Sequence, residues 1–269
     1  MTVALHIDNP AYFDRLAEVE AAHWWSLGMW RLEKHWLMRV LGRRRGLRAL
    51  DVGCGTGLTV ARLQQLPQID GAIGLEPSSA ALEHARQQHV PIVRGSALDL
   101  PFADTCFDVV TCFDVFQHLP DGSEQLAASE LRRVLRPRGI VLVRGNATGL
   151  APHANRELSS YRLRDLTDIL ASSGLNICLA SYANCLPALF QEVRGRLALR
   201  SRSESHHRSH PAGGGLRIAV PHPWRNRAMR LVSEAEAFLA GGLGVGLPFG
   251  HSTLVLAEKS NGISMWKET

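Results

Sequence analysis

Along residues 11–41 apolar side chains return every three or four positions: Tyr12, Phe13, Leu16 and Val19, then Trp24, Trp25, Leu27, Trp30, Leu32, Trp36, Leu37 and Val40. That period predicts a pair of amphipathic helices, with Asp8-Asn9-Pro10 as the start. The pattern then shortens. Ala49-Leu50-Asp51-Val52 is an apolar run that ends in Gly53, Gly55 and Gly57, and a helical period resumes at Leu58. Downstream, short apolar runs predict strands at 71–75, 91–94, 105–113, 140–144, 174–179 and 252–257. Helical periods lie between them at 58–66, 80–89, 130–139 (ending in a Pro/Gly turn), 161–170, 186–199 and 224–239. Strands and helices that alternate with short connections predict an α/β sheet with helices on both faces.

Three glycines between a buried strand and a helix form a turn without side chains, where a ligand lies against free backbone N–H groups. A dinucleotide fingerprint, G-x-G-x-x-G/A, needs a small residue at position 58, and Leu58 stands there. Asp51, two residues before the first glycine, would repel a pyrophosphate and suits a ligand with a positive end. Glu76 follows the second strand, 25 residues on, where a carboxylate can accept both hydroxyls of a ribose.

Together these residues resemble motif I and the following acid of the class I S-adenosylmethionine-dependent methyltransferases, D-x-G-x-G-x-G. Further segments extend the likeness across positions 50 to 145: Gly95 to Phe102 beside the family's G-D-A-x-x-L-P-F, Phe107-Asp108-Val109-Val110, His118-Leu119-Pro120-Asp121, and Glu130 to Gly139. Ala22-His23-Trp24-Trp25 is similar to an "HWW" segment of bacterial relatives of the type 11 kind. Those carry an Arg four to five residues later; here Met29 and Trp30 occupy the places and Arg31 follows.

The resemblance implies a Rossmann-like seven-stranded sheet of order 3-2-1-4-5-7-6 with strand 7 antiparallel. It divides the chain into an N-terminal helical cap (1–45), a cofactor-binding core (46–183), a helical insertion or substrate lid (184–250) with a flexible loop at 201–215, and a last strand with tail (251–269). The implied cofactor is S-adenosylmethionine (SAM), leaving as S-adenosylhomocysteine (SAH). Its implied contacts are Asp51, Gly53, Cys54, Gly55, Gly57, Glu76, Pro77, Ser96, Ala97, Leu98 and Phe113. Ser96 replaces the family's adenine-binding Asp and is a weaker acceptor. His118 is the candidate base, against a structural reading in which it packs below the site on backbone hydrogen bonds. Trp24, Trp25, His153 and Tyr161 are the candidate acceptor-side residues, and the tryptophans suit an apolar or aromatic small molecule.

Charge and composition narrow the partners. Net charge is +5, and 27 of the 30 cations are Arg, which grips phosphate. The run Arg194, Arg196, Arg200, Arg202 and Arg208 has no interleaved aromatics, so no nucleic-acid partner is expected. Cys112-Phe113-Asp114-Val115 lacks the N/D-P-P-Y/F motif of amine-modifying families, which counts against an RNA or protein methyltransferase. A catalytically silent SAM-fold binding protein is the third reading. His206, His207 and His210 have no helical spacing or paired carboxylate, so no metal is expected. Five cysteines without a C-x-x-C pair and the lack of an 18-residue apolar window predict a reduced, cytoplasmic chain without membrane attachment, a monomer or a homodimer.

Overall fold

The computed structural model describes residues 10–148, 159–190 and 220–260. Seven strands form one sheet of order β3-β2-β1-β4-β5-β7-β6. They are β1 (Leu47–Val52), β2 (Ile69–Glu76), β3 (Ile92–Arg94), β4 (Phe107–Phe113), β5 (Leu135–Asn146), β6 (Leu175–Ala183) and β7 (Ser252–Lys259). β7 runs antiparallel to both β5 and β6, and the other pairs are parallel. The order and the direction of the last strand match the expectation from the sequence.

Side chains alternate across the sheet, so each strand feeds two cores. Ala49, Val109, Ile140, Leu142, Leu254 and Leu256 face α2 (Trp24–Leu41) and α3 (Leu58–Gln64). Leu50, Val110, Val141, Val143 and Val255 face α5 (Glu124–Val134) and α6 (Leu163–Ser172). α4 (Ser79–Gln87) lies beside β2 and β3. The last described helix, α7 (Pro223–Ala237), packs on α2 and runs into a wider turn at Phe238–Gly242. The aromatic helix of the N-terminal cap is thus part of one sheet-covering layer. Trp36 is buried there and its Nε1 donates to the Ala240 carbonyl at 3.1 Å.

The first helical period splits in two at His23. α1 (Pro10–Ala22) stops, His23 takes an extended conformation, and its Nδ1 accepts the Trp25 N–H to cap α2. Near position 135 the chain departs from expectation. α5 ends at Val134 and β5 begins at Leu135, so the predicted Pro/Gly turn at 137–139 lies inside a strand. Pro137 cannot donate to a helix and holds Arg136 extended. The slack appears as a register shift against β4, with Arg138 at φ +62°.

α2 and α7 approach closely at Gly28. A Cβ there would stand 1.7 Å from Ser233 Oγ. Gly28→Ala should therefore lower stability by about 1–3 kcal/mol. Ser233→Gly in the same chain should return part of that loss, read as the denaturation midpoint; a single variant as stable as the parent would show that α7 can shift freely.

Candidate active site

The carboxyl ends of β1, β2, β4 and β5 carry the chemistry. Gly53, Gly55 and Gly57 have φ of +71°, +51° and +84°. At Gly53 a Cβ would meet Val115 Cγ2 at 2.3 Å, so glycine is required both for conformation and for space. The Gly53 and Cys54 N–H groups donate to the Leu75 carbonyl at 2.8 and 3.0 Å, which stitches the turn to β2. Gly55 is the open position, with only Leu16 of α1 near its Cβ direction, at 3.9 Å. Its N–H donates to Glu76 Oε2 at 2.9 Å, and Ser78 N–H donates to Glu76 Oε1 at 3.0 Å. Glu76 is thereby fixed beside the glycine turn. Asp51 lies level with Thr111 of β4, whose hydroxyl donates to Asp51 Oδ1 at 2.6 Å.

A buried charge cluster sits next to Asp51. Arg144, at the end of β5, donates through Nε and Nη2 to Asp114 Oδ2 at 3.1 and 2.5 Å, and through Nη1 to Glu33 of α2. Its guanidinium lies 4.8 Å from the ring centres of both Trp25 and Phe113. Glu20 of α1 accepts the hydroxyl of Thr56 in the glycine turn, and Arg62 stands 5.6 Å over Trp30 and donates to the Glu20 carbonyl at 3.4 Å. Four carboxylates, Glu20, Glu33, Asp51 and Asp114, thus meet two guanidinium groups. Burial raises the pKa of Glu20 and Glu33, with the arginines opposing it. Asp51 is pushed up to about 8, mainly by burial, with Glu33 and Glu20 adding to it while Thr111 and Arg144 oppose it. The set is short of positive charge.

The sequence model of the "Methyltransferase domain" family matches residues 50–143, the stretch that holds the glycine turn, Glu76 and Asp114. Residues 50–143 are similar to a methyltransferase domain. Demethylmenaquinone methyltransferase from Staphylococcus aureus (strain MRSA252) is 36% identical over 112 residues, 39% of this chain and 46% of that protein. The chain therefore spans about half the length of the curated relatives it matches. Among solved structures, the protein in complex with the Haloferax volcanii Trm112 methyltransferase activator superposes with a TM-score of 0.60 at 18% identity, over 98% of this chain and 100% of that one. A SAM-dependent methyltransferase from Thermotoga maritima gives 0.55 at 17% identity, over 95% and 100%. Geranyl diphosphate C-methyltransferase from Streptomyces coelicolor A3(2), solved with Mg2+, geranyl diphosphate and S-adenosyl-L-homocysteine, gives 0.52 at 16% identity, over 84% and 77%. At these identities the superpositions speak for the fold.

The other expected residues fall in several places. Cys54 is buried against Gly74, and burial raises its thiol pKa, so it packs and does not react. Pro77 is exposed, and its carbonyl accepts Arg94 Nε at 3.1 Å. Ser96 turns its hydroxyl inward on its own loop and accepts the Leu98 N–H at 3.2 Å. Ala97 is buried and Leu98 packs on the same core. Phe113 and Trp25 stand at Arg144, whereas Trp24 is tied by its N–H to Asn226 Oδ1 of α7 at 2.9 Å. Arg31 is half-exposed and pairs with Glu234 of α7 at 2.9 Å, away from the strand ends.

His118 lies on the surface of a short 3-10 turn, Phe116–His118. The surrounding chain lowers its pKa and Asp114 opposes that shift. The buried backbone-satisfying part belongs to its neighbour: Gln117 Oε1 accepts the Asn146 N–H at 3.0 Å. Tyr161 is a core residue. Its ring packs on Phe116 and its hydroxyl donates to the Phe116 carbonyl at 2.9 Å, so it braces the end of β4 from below. His153 and the loop at 201–215 lie outside the described residues.

The sequence pattern had left Glu20, Glu33, Asp114, Thr111 and Arg144 without a role. One signal was present: Glu33 sits three residues after Trp30 and four before Leu37, in the middle of an apolar stripe, and Arg144 ends the run Ile140-Val141-Leu142-Val143. A charge in such a place needs a partner.

Proposed function

We propose that the chain transfers the methyl group of SAM to an oxygen, nitrogen or carbon of a small apolar or aromatic acceptor. The observation that carries this reading is the pair of buried carboxylates, Asp51 and Glu76, held on either side of an open glycine turn. Glu76 accepts the Gly55 and Ser78 amides, and a carboxylate held in that way would accept ribose hydroxyls. Asp51 and its acidic neighbours supply negative charge that a sulfonium and an ammonium would answer. The residues present therefore fit SAM, which when bound supplies an electrophilic methyl group for in-line displacement.

The remaining work is positioning. Alignment of two reactants can lower a barrier by about 7–11 kcal/mol without a dedicated base. Trp25 and Phe113, flattened on Arg144, present apolar surface beside the acids. Small molecules are also the acceptors named for two similar proteins, demethylmenaquinone and geranyl diphosphate.

Calorimetry on the purified chain tests the reading. SAM and SAH should both bind, and Glu76→Ala should weaken each by about 10- to 100-fold, the range expected when a charged hydrogen-bonding partner is lost. Failure of both ligands to bind the parent chain would sink it. Turnover is then sought by mass spectrometry against a panel of apolar and aromatic acceptors, in which a methylated product identifies the class.

A further inference from the structure

The outer face of α7 has no partner among the described residues. Its buried side, with Ser233, Glu236 and Ala237, packs inward toward α2 and residues 185–186. On the opposite side Trp224, Ala228, Leu231, Ala235 and Phe238 follow one another at intervals of four, three, four and three residues. All five are exposed, Trp224 at 67%, Leu231 at 63% and Phe238 at 57%. A solvated helix face has no reason to place its three largest apolar groups on one line. The spacing averages 3.5 residues, the repeat of a seam that packs on a second helix. Large and small residues alternate along it.

We infer that this face is a self-complementary docking surface on which a second copy of the chain packs α7 against α7, antiparallel, about a two-fold axis level with Met229 and Arg230. In that register Trp224 and Leu231 are each set on an alanine, and Phe238 lies beyond the paired layers. Trp224 meets the partner's Ala235, Leu231 meets the partner's Ala228, and symmetry repeats both contacts. The flanks agree with the same register. Arg227 and Glu234 lie seven residues apart on one edge of the seam, and the antiparallel pairing brings Arg227 to the partner's Glu234 twice.

Arg227 makes no ion pair with a described residue, while Glu234 Oε1 already receives Arg31 and Arg230, both at 2.9 Å. That arrangement sets a carboxylate firmly at the rim. A parallel pairing would instead face Arg227 to the partner's Val232. A lipid surface would gain from the aromatic groups and have no use for alanine at alternate positions. The dimer would also steady the site, because Asn226 of the same helix bonds the Trp24 N–H and the Ala22 carbonyl at the junction of α1 and α2.

About two heptads of contact give an interface at the small end of specific ones, so a reversible dimer in the micromolar range is expected. Sedimentation velocity of the full chain across about 1–200 µM brackets that range. Ala228→Trp fills the hole for the partner's Leu231 and should weaken association at least tenfold without changing the fold, since Ala228 is exposed. Arg227→Glu should weaken it likewise, and Arg227→Glu with Glu234→Arg should restore it. A parent chain that stays monomeric throughout, or a dimer indifferent to Ala228→Trp, would overturn the assignment. So would co-sedimentation with anionic phosphatidylglycerol vesicles that Ala228→Trp strengthens.

Discussion

Arg144→Met is expected to lower the stability of the chain by about 3–5 kcal/mol, the cost of breaking a buried ion pair by removing one partner. Glu33 and Asp114 would both lose their counter-charge, and among the described residues Glu33, buried on α2, has no other cation in ion-pair distance. Trp25 and Phe113 would keep an apolar neighbour, so the loss reports charge and not packing. Arg144→Lys should fall between, because an ammonium cannot fork to Glu33 and Asp114 while lying flat on two rings. The deficit should shrink as pH falls, since burial raises the pKa of Glu33 and its protonated form needs no partner. Glu33→Gln added to Arg144→Met should recover part of it. Chemical denaturation at several pH values measures all of this; a loss under about 1 kcal/mol would mean that the cluster is solvated in the working protein.

The second large effect concerns Asp51. Without ligand its carboxyl titrates near 8, so it is mostly protonated at neutral pH. A cationic ligand favours the carboxylate, and binding below pH 8 therefore releases a proton. SAM affinity should rise with pH, by up to about tenfold per unit between pH 6 and 8, and level off above. Asp51→Asn should abolish that slope and leave weak binding at every pH. The free protein should behave in the opposite sense. A carboxyl raised from 3.8 to about 8 contributes stability that is fully present below the unfolded value and is lost as pH climbs through 8. The melting temperature of the unliganded chain should thus decline toward pH 8, less so in the Asn variant. Calorimetry in two buffers of different ionisation enthalpy counts the protons. An unchanged slope in Asp51→Asn would transfer the titration to Glu20 or Glu33.

Much of the sheet was legible because each strand ends in its own punctuation. Glycines after Val52, Glu76 after Leu75, and the run Phe107 to Phe113 located three strand ends from neighbours within a few residues. The site resisted where its parts are far apart in the chain. Glu33 and Arg144 are 111 residues from each other, and only the stacking of α2 on the β5 side of the sheet joins them. Gln117 and His118 show a finer limit: adjacent polar residues on a 3-10 turn face different ways, and the pattern could not say which one turns inward. Tyr161 was read by its polar tip, whereas its ring decides its place, in the core under Phe116. At α7 both faces carry apolar groups, so periodicity identified the helix without saying which side was already taken.

Four carboxylates facing two guanidinium groups also bear on the order of events in a catalytic cycle. Methyl transfer turns a sulfonium into a neutral thioether, so the ligand loses its fixed positive charge at the moment the reaction completes. In the proposed site the acids would then hold the spent form less strongly, and Asp51 would recover its proton. The same imbalance that strains the empty fold would speed departure of the by-product and keep it from crowding out fresh cofactor.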